Sequence, residues 1–444
     1  MGRADLKRSV RWNGRGNRRL GPLARILPVM MLCLLLVPSA RAAIAVSSPM
    51  QPPHKETLEP WESPEWQAAV RKLDSCLAHP ARSCALEAAL LVTARQDLAI
   101  DRVDNLLALA RSFIAMGDRD RARQLLQVAE RTAAQIGIAI GTERKLAEII
   151  PLYGLIADTE NAERLLARLT DENRRAAAMA RLAENLARAG KAEAALALVE
   201  RITRPWLALD ALDRVIRVLA QRDGGVPDAL IDRFSQQIDR LPRYLLRDLA
   251  RAHLALLLAR KGERERAAAI AAELDRQLTG MGPAADELRL AAALTAVDLA
   301  LKDETARNRH LQIILRRAPG LGPDEDRRRA LAEAAVALAL AGRMNAARDL
   351  LMEGVSDDYR LLLAVAQALL DADAPADLLA TIGEHVVSAA LTQSLRAERD
   401  RGRLVAIRLF VAAHRREPAL ETVRRIEDAG LRARGLAMLV PLLG

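Results

Sequence analysis

Residues 174–202 constrain the fold of this chain more than any other stretch, because they encode two helices that fold back on each other. One face of the first helix is apolar at helical spacing: Met179, Leu182, Ala183 and Leu186. Gly190 follows, at a position where helices commonly end in a left-handed turn. A second apolar stripe runs to Ile202, before Arg204-Pro205 ends the helix. The pair cannot bury both stripes alone and needs neighbouring pairs stacked on it.

The rest of the chain supplies such neighbours. Four turn glycines align: Gly117, Gly190, Gly262 and Gly342. Alanine stands seven residues before each (Ala110, Ala183, Ala255, Ala335) and five after each (Ala122, Ala195, Ala267, Ala347). Weaker units centre on Ala162, Ala229, Ala306, Ala376 and Ala419. The sequence therefore predicts an all-α fold over residues 60–444, an elongated α-solenoid of about ten stacked antiparallel helix hairpins.

This pattern resembles the tetratricopeptide repeat, which places a large and a small residue early in helix A, an aromatic or Leu before the glycine turn, and Ala early in helix B. Leu109-Ala110, Phe113, Gly117 and Ala122 follow that order. The early Trp and closing Pro of the family are missing from most units, and the unit length drifts, so HEAT-like stacking is the alternative. The resemblance implies a binding groove lined by helix A.

Residues 1–42 read as a cleaved export signal. A basic start precedes the apolar run 26–37, and Ser39-Ala40-Arg41-Ala42 offers an A-x-A cleavage site, with Ala45 as a second choice. The run is shorter than the roughly 20 residues that a spanning helix needs. We therefore expect a periplasmic or secreted protein with no membrane span after cleavage, and residues 43–59, rich in Pro and Ser, read as a disordered lead-in.

Removal of this signal changes the meaning of the net charge. The whole chain is +10. Residues 1–42 hold nine basic residues and one acidic residue, a difference of eight, so about +2 remains on the rest. The high pI belongs largely to the signal, and a nucleic-acid partner is not expected.

Cys76 and Cys84 remain once Cys33 leaves with the signal. On one continuous helix their Cα atoms would lie about 12 Å apart, too far for a disulfide. Pro80 lies between them and breaks the helix, so the two can face each other across a turn. In an oxidising compartment this pattern predicts a disulfide that links the first hairpin; a redox-active pair would more usually be C-x-x-C.

The sequence shows few signs of a catalytic motif. The six histidines show no metal-ligand spacing, and neither a P-loop nor a G-x-S-x-G motif appears. We expect no metal, no cofactor and no enzymatic activity. An envelope-polymer hydrolase remains the least favoured alternative, since the compartment and a long groove are its only support.

The most favoured function is a scaffold that binds another protein or peptide in the groove. Carrying over the helix A positions implied by the resemblance gives six candidate binding residues: Asp104, Arg111, Glu184, Arg188, Leu256 and Arg260. Val336 and Leu340 take the same positions in a later unit. Arginine forks suit the carboxylates or backbone oxygens of an extended peptide. The alternative is a structural subunit of an envelope assembly or secretion machine.

Residues 431–444 form the start of a helix A with no helix B behind it, and they carry no charge after Arg434. Two outcomes follow. The segment folds back as a lone cap on the unit around Ala419, or its apolar stripe stays open and pairs with a second copy or another partner.

Overall fold

The computed structural model describes residues 63–222, 225–242, 244–278, 284–321, 325–355 and 358–443. The expected signal 1–42 and the expected lead-in 43–59 lie outside these residues. Within them the chain forms helices and no strand. The all-α solenoid expected from the sequence is confirmed at the level of stacked helix pairs.

The described residues form ten helix pairs and one lone helix. The first eleven helices are α1 (Pro64–Ala78), α2 (Arg82–Arg95), α3 (Ala99–Ala115), α4 (Arg119–Ala133), α5 (Ala139–Leu155), α6 (Thr159–Leu166), α7 (Glu172–Arg188), α8 (Ala192–Glu200), α9 (Pro205–Ala220), α10 (Asp228–Arg240) and α11 (Leu245–Lys261). The remaining ten are α12 (Arg264–Leu278), α13 (Ala284–Leu301), α14 (Glu304–Arg317), α15 (Glu325–Leu340), α16 (Met344–Val355), α17 (Tyr359–Asp371), α18 (Ala376–Leu391), α19 (Arg396–Ala412), α20 (Arg416–Arg424) and α21 (Ala429–Leu439).

The repeat signals of the sequence correspond to turns and close packing in the structure. The four aligned glycines all adopt positive φ, between 75° and 98°. The eight aligned alanines on either side of these turns are fully buried, each with 0% of its surface exposed. Small residues let the two helix backbones approach, so the alanines set the spacing within a hairpin.

Aspartate begins many of the helices. The side chains of six aspartates at helix N-caps accept hydrogen bonds from backbone N–H groups two or three residues further on: Asp118, Asp158, Asp171, Asp303, Asp358 and Asp428. Each such cap stabilises its helix by about 1 kcal/mol. They mark the starts of strong and weak repeats alike.

The helical unit closes on itself instead of remaining elongated. From α3 onward the odd-numbered helices pack against one another in sequence and form an inner layer, while the even-numbered helices form an outer layer. The inner layer does not end at α21, because α21 also packs against α3 and α2. The ten inner helices therefore form a ring around a lumen, and α2 from the start of the chain supplies the outer partner that α21 lacks.

Hydrogen bonds join the two ends of the chain at this seam. The Ser112 hydroxyl donates to the Ala437 carbonyl at 2.5 Å, and the Asn105 amide donates to the Gly430 carbonyl at 3.2 Å. The Arg434 Nε donates to Asn105 Oδ1 at 2.8 Å. The bonds form in a buried setting, where a lost partner would leave a polar group unsatisfied.

The apolar stripe of the C-terminal segment lies inside this seam. Leu436, Leu439, Val440 and Leu443 are fully buried. Helix α21 packs on α19 and α20, as a cap would, and also on α2 and α3, which neither sequence-based alternative included. The stripe is covered by the same chain, so it does not present an open surface for pairing with a second copy.

The two cysteines lie at disulfide distance. Cys76 is near the end of α1 and Cys84 near the start of α2, with Cα atoms 5.7 Å apart. The turn around Pro80 brings them together, as the sequence predicts. None of the helices in the described part of the chain is long and apolar enough to cross a membrane.

Candidate functional site: the lumen of the ring

The six candidate residues from the sequence all lie on inner helices, but they do not form one groove. Asp104 and Arg111 are on α3, Glu184 and Arg188 on α7, and Leu256 and Arg260 on α11. Because the ring is closed, these positions face a lumen and not an open concave surface. Most of the predicted binding groups already have partners within the chain.

Two ion pairs cross the lumen and narrow it. Arg188 at the end of α7 contacts Asp373, just after α17, at 3.1 Å, and Arg329 on α15 contacts Asp210 on α9 at 3.0 Å. The helices in each pair are not neighbours in the ring. We call these two contacts the waist. Arg188, one of the predicted binding residues, therefore has ion-pair partners within the chain.

On one side of the waist, the wall formed by α9, α11, α13 and α15 carries matched charges; we call it the paired lobe. Arg289 contacts Glu333 at 2.9 Å, and Asp213 contacts His253 at 2.5 Å. Burial raises the pKa of Glu333, but the charge of Arg289 more than offsets this effect, so the pKa lies below its ordinary value. The pKa of Asp213 is also lowered, because His253 outweighs the effect of burial.

Glu184 and Asp210 extend the same network. Glu184 accepts from Arg188 at 2.9 Å and from Arg214 at 3.3 Å, and Asp210 pairs with both Arg214 and Arg329. Burial raises the pKa of Asp210, yet the two arginines hold it below its usual range. Such charges are retained in the interior only because each has an opposite charge nearby.

Two adjoining cavities lie against this wall. The first, of about 270 Å³, is lined by four arginines, Arg214, Arg217, Arg328 and Arg329, with Glu333 and Asp371 as its acids. The second, of about 100 Å³, is mainly apolar and includes Leu249, Leu256, Val336 and Leu340, with Arg260 at its edge. Arg217, Glu333 and Ala372 line both cavities. The structure thus brings together the later positions of the predicted groove, Leu256, Arg260, Val336 and Leu340, around one apolar cavity.

Arg260 has a partner in this cavity wall, and Arg217 differs from it. The Arg260 guanidinium donates to the Ala220 carbonyl at 2.5 Å. Arg217 forms no ion pair or hydrogen bond with any residue in the described part of the chain, although the Asp213 carboxylate attracts it at longer range. Arg217 was not among the residues predicted from the sequence, and its position between the two cavities makes it the least committed cation of this lobe.

On the other side of the waist, the wall formed by α3, α5, α7 and α19 carries unmatched positive charge; we call it the cationic lobe. Arg111, Arg181 and Arg408 come from three of these helices. Arg111 is open to solvent in the lumen, yet surrounding protein desolvates it and the charges of Arg408 and Arg181 repel it, which lowers its pKa to about 10. Burial likewise lowers the pKa of Arg408.

The acids nearest this lobe are already engaged. Lys145 contacts Asp104 at 2.5 Å and Glu148 at 2.9 Å, and Arg434 contacts Asp104 at 3.3 Å. Asp104, another predicted binding residue, thus has two cationic partners near the seam. Arg181 and Arg408 were not identified from the sequence. Arg181 lies seven residues, about two helical turns, before Arg188 on the same face of α7, so the periodicity of that helix could have indicated it.

The described residues contain no group of three or more His, Cys, Asp or Glu side chains arranged to hold a metal ion. The Nδ1 atoms of His253 and His310 lie within hydrogen-bond distance of carboxylates inside the structure, 2.5 Å from Asp213 and 2.6 Å from Asp298.

Comparisons with known proteins assign no function. No protein-family description and no curated protein sequence matches this chain. Among solved structures, it is similar to a circular tandem repeat protein with novel repeat topology and enhanced subunit contact surfaces. That similarity has 16% sequence identity and a TM-score of 0.17, and it covers 84% of this chain and 74% of the other.

Proposed function

We propose that this protein is a non-catalytic scaffold, exported to the periplasm or secreted, that binds an extended protein or peptide segment in the lumen of its ring. The observation that favours this function is the pair of adjoining cavities that share Arg217. We further propose that its repeats are degenerate relatives of the tetratricopeptide repeat and use the helix A face for binding, as the sequence resemblance implies.

The charges and shape of the two cavities define the segment that fits. The larger cavity is lined by four arginines and two carboxylates; Arg214 and Arg329 are paired with Asp210, so Arg217 is the arginine there that can attract an anionic group. The apolar cavity beside it offers Leu249, Leu256 and Leu340 to an aliphatic side chain. A pocket with a few placed polar groups beside apolar walls is the usual form of a binding site. The favoured ligand is an acidic side chain next to an aliphatic one on an extended chain.

Ring closure adds a restriction on how this segment enters. An open groove accepts the middle of a long chain from the side, whereas the lumen of a closed ring accepts a loop or a chain end through one rim. The cross-lumen contacts at the waist, such as Arg188 with Asp373, narrow the passage further. We therefore expect short, mobile segments to bind and folded domains to be excluded from the lumen.

Panning a displayed peptide library on the full chain tests this proposal. Wild type should enrich sequences with an acidic residue beside Leu, Ile or Val. Arg217→Gln should weaken binding of the enriched peptides at least about tenfold, because it removes the unpaired cation between the two cavities. Arg131→Gln, on the outer helix α4 and exposed, is the matched control and should change nothing. No enrichment, or equal binding by Arg217→Gln, would contradict the proposal.

A second candidate, a structural subunit of a larger envelope assembly, has one observation in its favour. Six exposed large apolar side chains lie at the starts of inner helices: Leu98, Ile138, Ile140, Trp206, Tyr244 and Leu395. The inner helices run in the same direction, since each hairpin is antiparallel, so these residues share one rim. Ile140 alone has 70% of its surface exposed. Apolar groups gathered on one face commonly mark contact surfaces.

Solution behaviour separates this candidate from the first. As a subunit, the isolated protein should self-associate at low micromolar concentration, and Ile140→Glu with Trp206→Glu should restore a monodisperse species in light scattering. As an independent scaffold, the wild-type protein should already be monodisperse, and the rim substitutions should leave both its size and its peptide binding unchanged.

A further inference from the structure

A buried histidine in the outer layer has a carboxylate at each of its ring nitrogens. His310 lies on α14 and has only 1% of its surface exposed. Its Nδ1 atom is 2.6 Å from Asp298 Oδ2 on the inner helix α13, and its Nε2 atom is 3.0 Å from Asp275 Oδ1 on the outer helix α12. The ring therefore connects helices from two neighbouring hairpins, α11–α12 and α13–α14.

These two contacts require two protons. An ionised carboxylate only accepts hydrogen bonds, so each contact needs a proton that the ring nitrogen donates. A neutral imidazole carries one N–H, and its other nitrogen would set a lone pair against an oxygen lone pair. An imidazolium donates from both nitrogens and satisfies both contacts at once. The geometry therefore indicates that His310 is charged in the folded protein, with an ionised carboxylate on each side.

The charges around the ring act in the same direction. Burial lowers the pKa of His310, but Asp298 and Asp275 more than offset this effect, so the pKa lies above its ordinary value. Burial raises the pKa of Asp298 more than His310 lowers it, and Asp303, the N-cap of α14, adds to the rise. Arg309, beside the ring on α14, contacts the other oxygen of Asp275 at 2.6 Å. Both pKa shifts favour retention of the protons in the two contacts.

The helix that His310 contacts through Asp298 also lines the lumen. Besides Asp298, α13 supplies Ala292, Ala293 and Ala296 to the apolar cavity. The contact between His310 and Asp298 spans the turn from α13 to α14, and the contact with Asp275 joins that hairpin to α12. His310 thus fixes the position of a helix that forms one wall of the lumen.

We propose that His310 is a pH-sensitive link between α12, α13 and α14, which its imidazolium form holds together and which loosen when the ring loses a proton as pH rises. After that loss, a nitrogen lone pair faces a carboxylate oxygen in a buried contact, and one hydrogen bond is gone. A group whose folded-state pKa is raised stabilises the fold fully below its unfolded-state pKa, about 6.5 for histidine. This contribution disappears as pH rises through the folded-state pKa.

Nitrogen-15 NMR of the histidine side chains on the full chain tests the charge of the ring directly. At about pH 6.5, where an ordinary histidine is half neutral, both ring nitrogens of His310 should give the signals of a protonated imidazolium. His310→Gln assigns these signals by their loss. A ring that is neutral at this pH, with one nitrogen free of a proton, would overturn the proposal.

Urea unfolding between about pH 6 and 9 tests the link, because a raised pKa makes stability fall as pH rises. His310→Gln should be less stable than wild type at the low end of this range, and the gap should narrow as pH rises. His79→Gln, exposed after the end of α1, is the matched control and should follow wild type. A gap that is the same at every pH would mean that His310 acts through packing alone, and the link would be refuted.

A second variant and a local probe cover the case in which His310→Gln does not fold. Asp275→Asn keeps the ring and its packing, and Asp275 is partly exposed, so this variant should fold and should lose stability at lower pH than wild type. Hydrogen exchange, corrected for its intrinsic rise with pH, should show the added opening in α12, α13 and α14 and not in α5 and α7. Wild-type pH dependence in Asp275→Asn, or opening spread evenly around the ring, would contradict a local link.

Discussion

The two lobes of the lumen are built from the same kind of repeat but treat charge in opposite ways. In the paired lobe, Arg289, Arg214 and Arg329 are each matched by a carboxylate within 3.0 Å. In the cationic lobe, Arg111 and Arg181 are matched by none among the described residues. Because both walls are lined by inner helices, the difference lies in side chains and not in architecture.

This difference distinguishes charged side chains that stabilise the fold from charged side chains that are available to a ligand. The charges of the paired lobe hold α9, α13 and α15 in place across the lumen, and a ligand there must work around them. In the cationic lobe, Arg111 has no acid partner among the described residues, and desolvation together with the charge of Arg408 lowers its pKa to about 10. Groups with perturbed pKa values are frequent at functional sites.

The largest effect is expected from opening the ring. Deleting residues 429–444 removes α21 and exposes the faces of α2 and α3 that it covers. Four fully buried apolar side chains are lost with it: Leu436, Leu439, Val440 and Leu443. At about 1.5–3 kcal/mol each, the loss approaches the whole stability of a typical domain.

Urea unfolding and limited proteolysis check this expectation, with Leu436→Ala as the milder variant at about 2–5 kcal/mol. The truncated chain should be cleaved rapidly in α2 and α3, because these helices lose the helix that covers them. A truncated protein that unfolds at the wild-type midpoint would show that the seam adds nothing.

A smaller but sharper contrast is expected between the lobes themselves. Glu333→Gln leaves the buried Arg289 without its carboxylate and should cost about 3–5 kcal/mol in the free energy of unfolding. Arg111→Gln should leave that free energy unchanged or slightly higher, since it removes a repelled charge. Chemical denaturation measures both. Equal losses in the two variants would mean that the lobes do not differ.

A double variant refines the result for the paired lobe. Adding Arg289→Met to Glu333→Gln removes both charges and replaces the guanidinium with an apolar side chain, so much of the lost stability should return. If the double variant is as unstable as Glu333→Gln alone, the loss comes from packing and not from the unpaired charge.

The smallest effect is expected in the pH dependence of stability. Asp210, Asp213 and Glu333 have folded-state pKa values below their ordinary ones, so the stability they contribute is present above the unfolded-state value of about 4 and is lost as pH falls toward the folded-state values. Asp213→Asn should be less stable at neutral pH and lose less on acidification. Arg111→Gln is the control and should lose stability on acidification as steeply as wild type. Thermal melts at pH 3–7 measure how stability falls with pH. Equal losses in wild type and Asp213→Asn would show that Asp213 does not contribute to the pH dependence.

The strong repeats were predictable because glycine makes their turns. In four of the five weaker repeats the structure keeps the same left-handed turn with other residues: Ala157, Lys302, Asp373 and His414 have φ between 50° and 60°. Side chains other than Gly adopt this conformation at a cost of roughly 1–2 kcal/mol, which the packing of the hairpin must offset. These units therefore form equivalent turns without the residue that marks them in the sequence.

Closure of the ring could not be predicted in the same way. The curvature of a solenoid is the sum of small rotations between repeats, and no single repeat records it. The apolar stripe of residues 431–444 indicated that another part of the protein packs on it. It did not indicate that this part is α2, more than 330 residues earlier. The candidate site was predictable to a similar extent. Helical periodicity placed Arg111 and Arg188 on inner faces, but it could not show that Asp373, from the opposite wall, contacts Arg188.

The seam also determines when during synthesis the ring can close. Helices α2 and α3 are synthesised early, yet α21, the helix that covers them, is made much later. At ribosomal rates of about 5–20 residues per second, the 313 residues between the end of α3 and the start of α21 take roughly 15 to 60 seconds to appear. During that interval the face around Leu109 has no cover, and a product that stops short keeps it uncovered permanently. Only a chain that includes α21 covers this surface, so products that stop before α21 are exposed to the proteases that act on incompletely folded proteins.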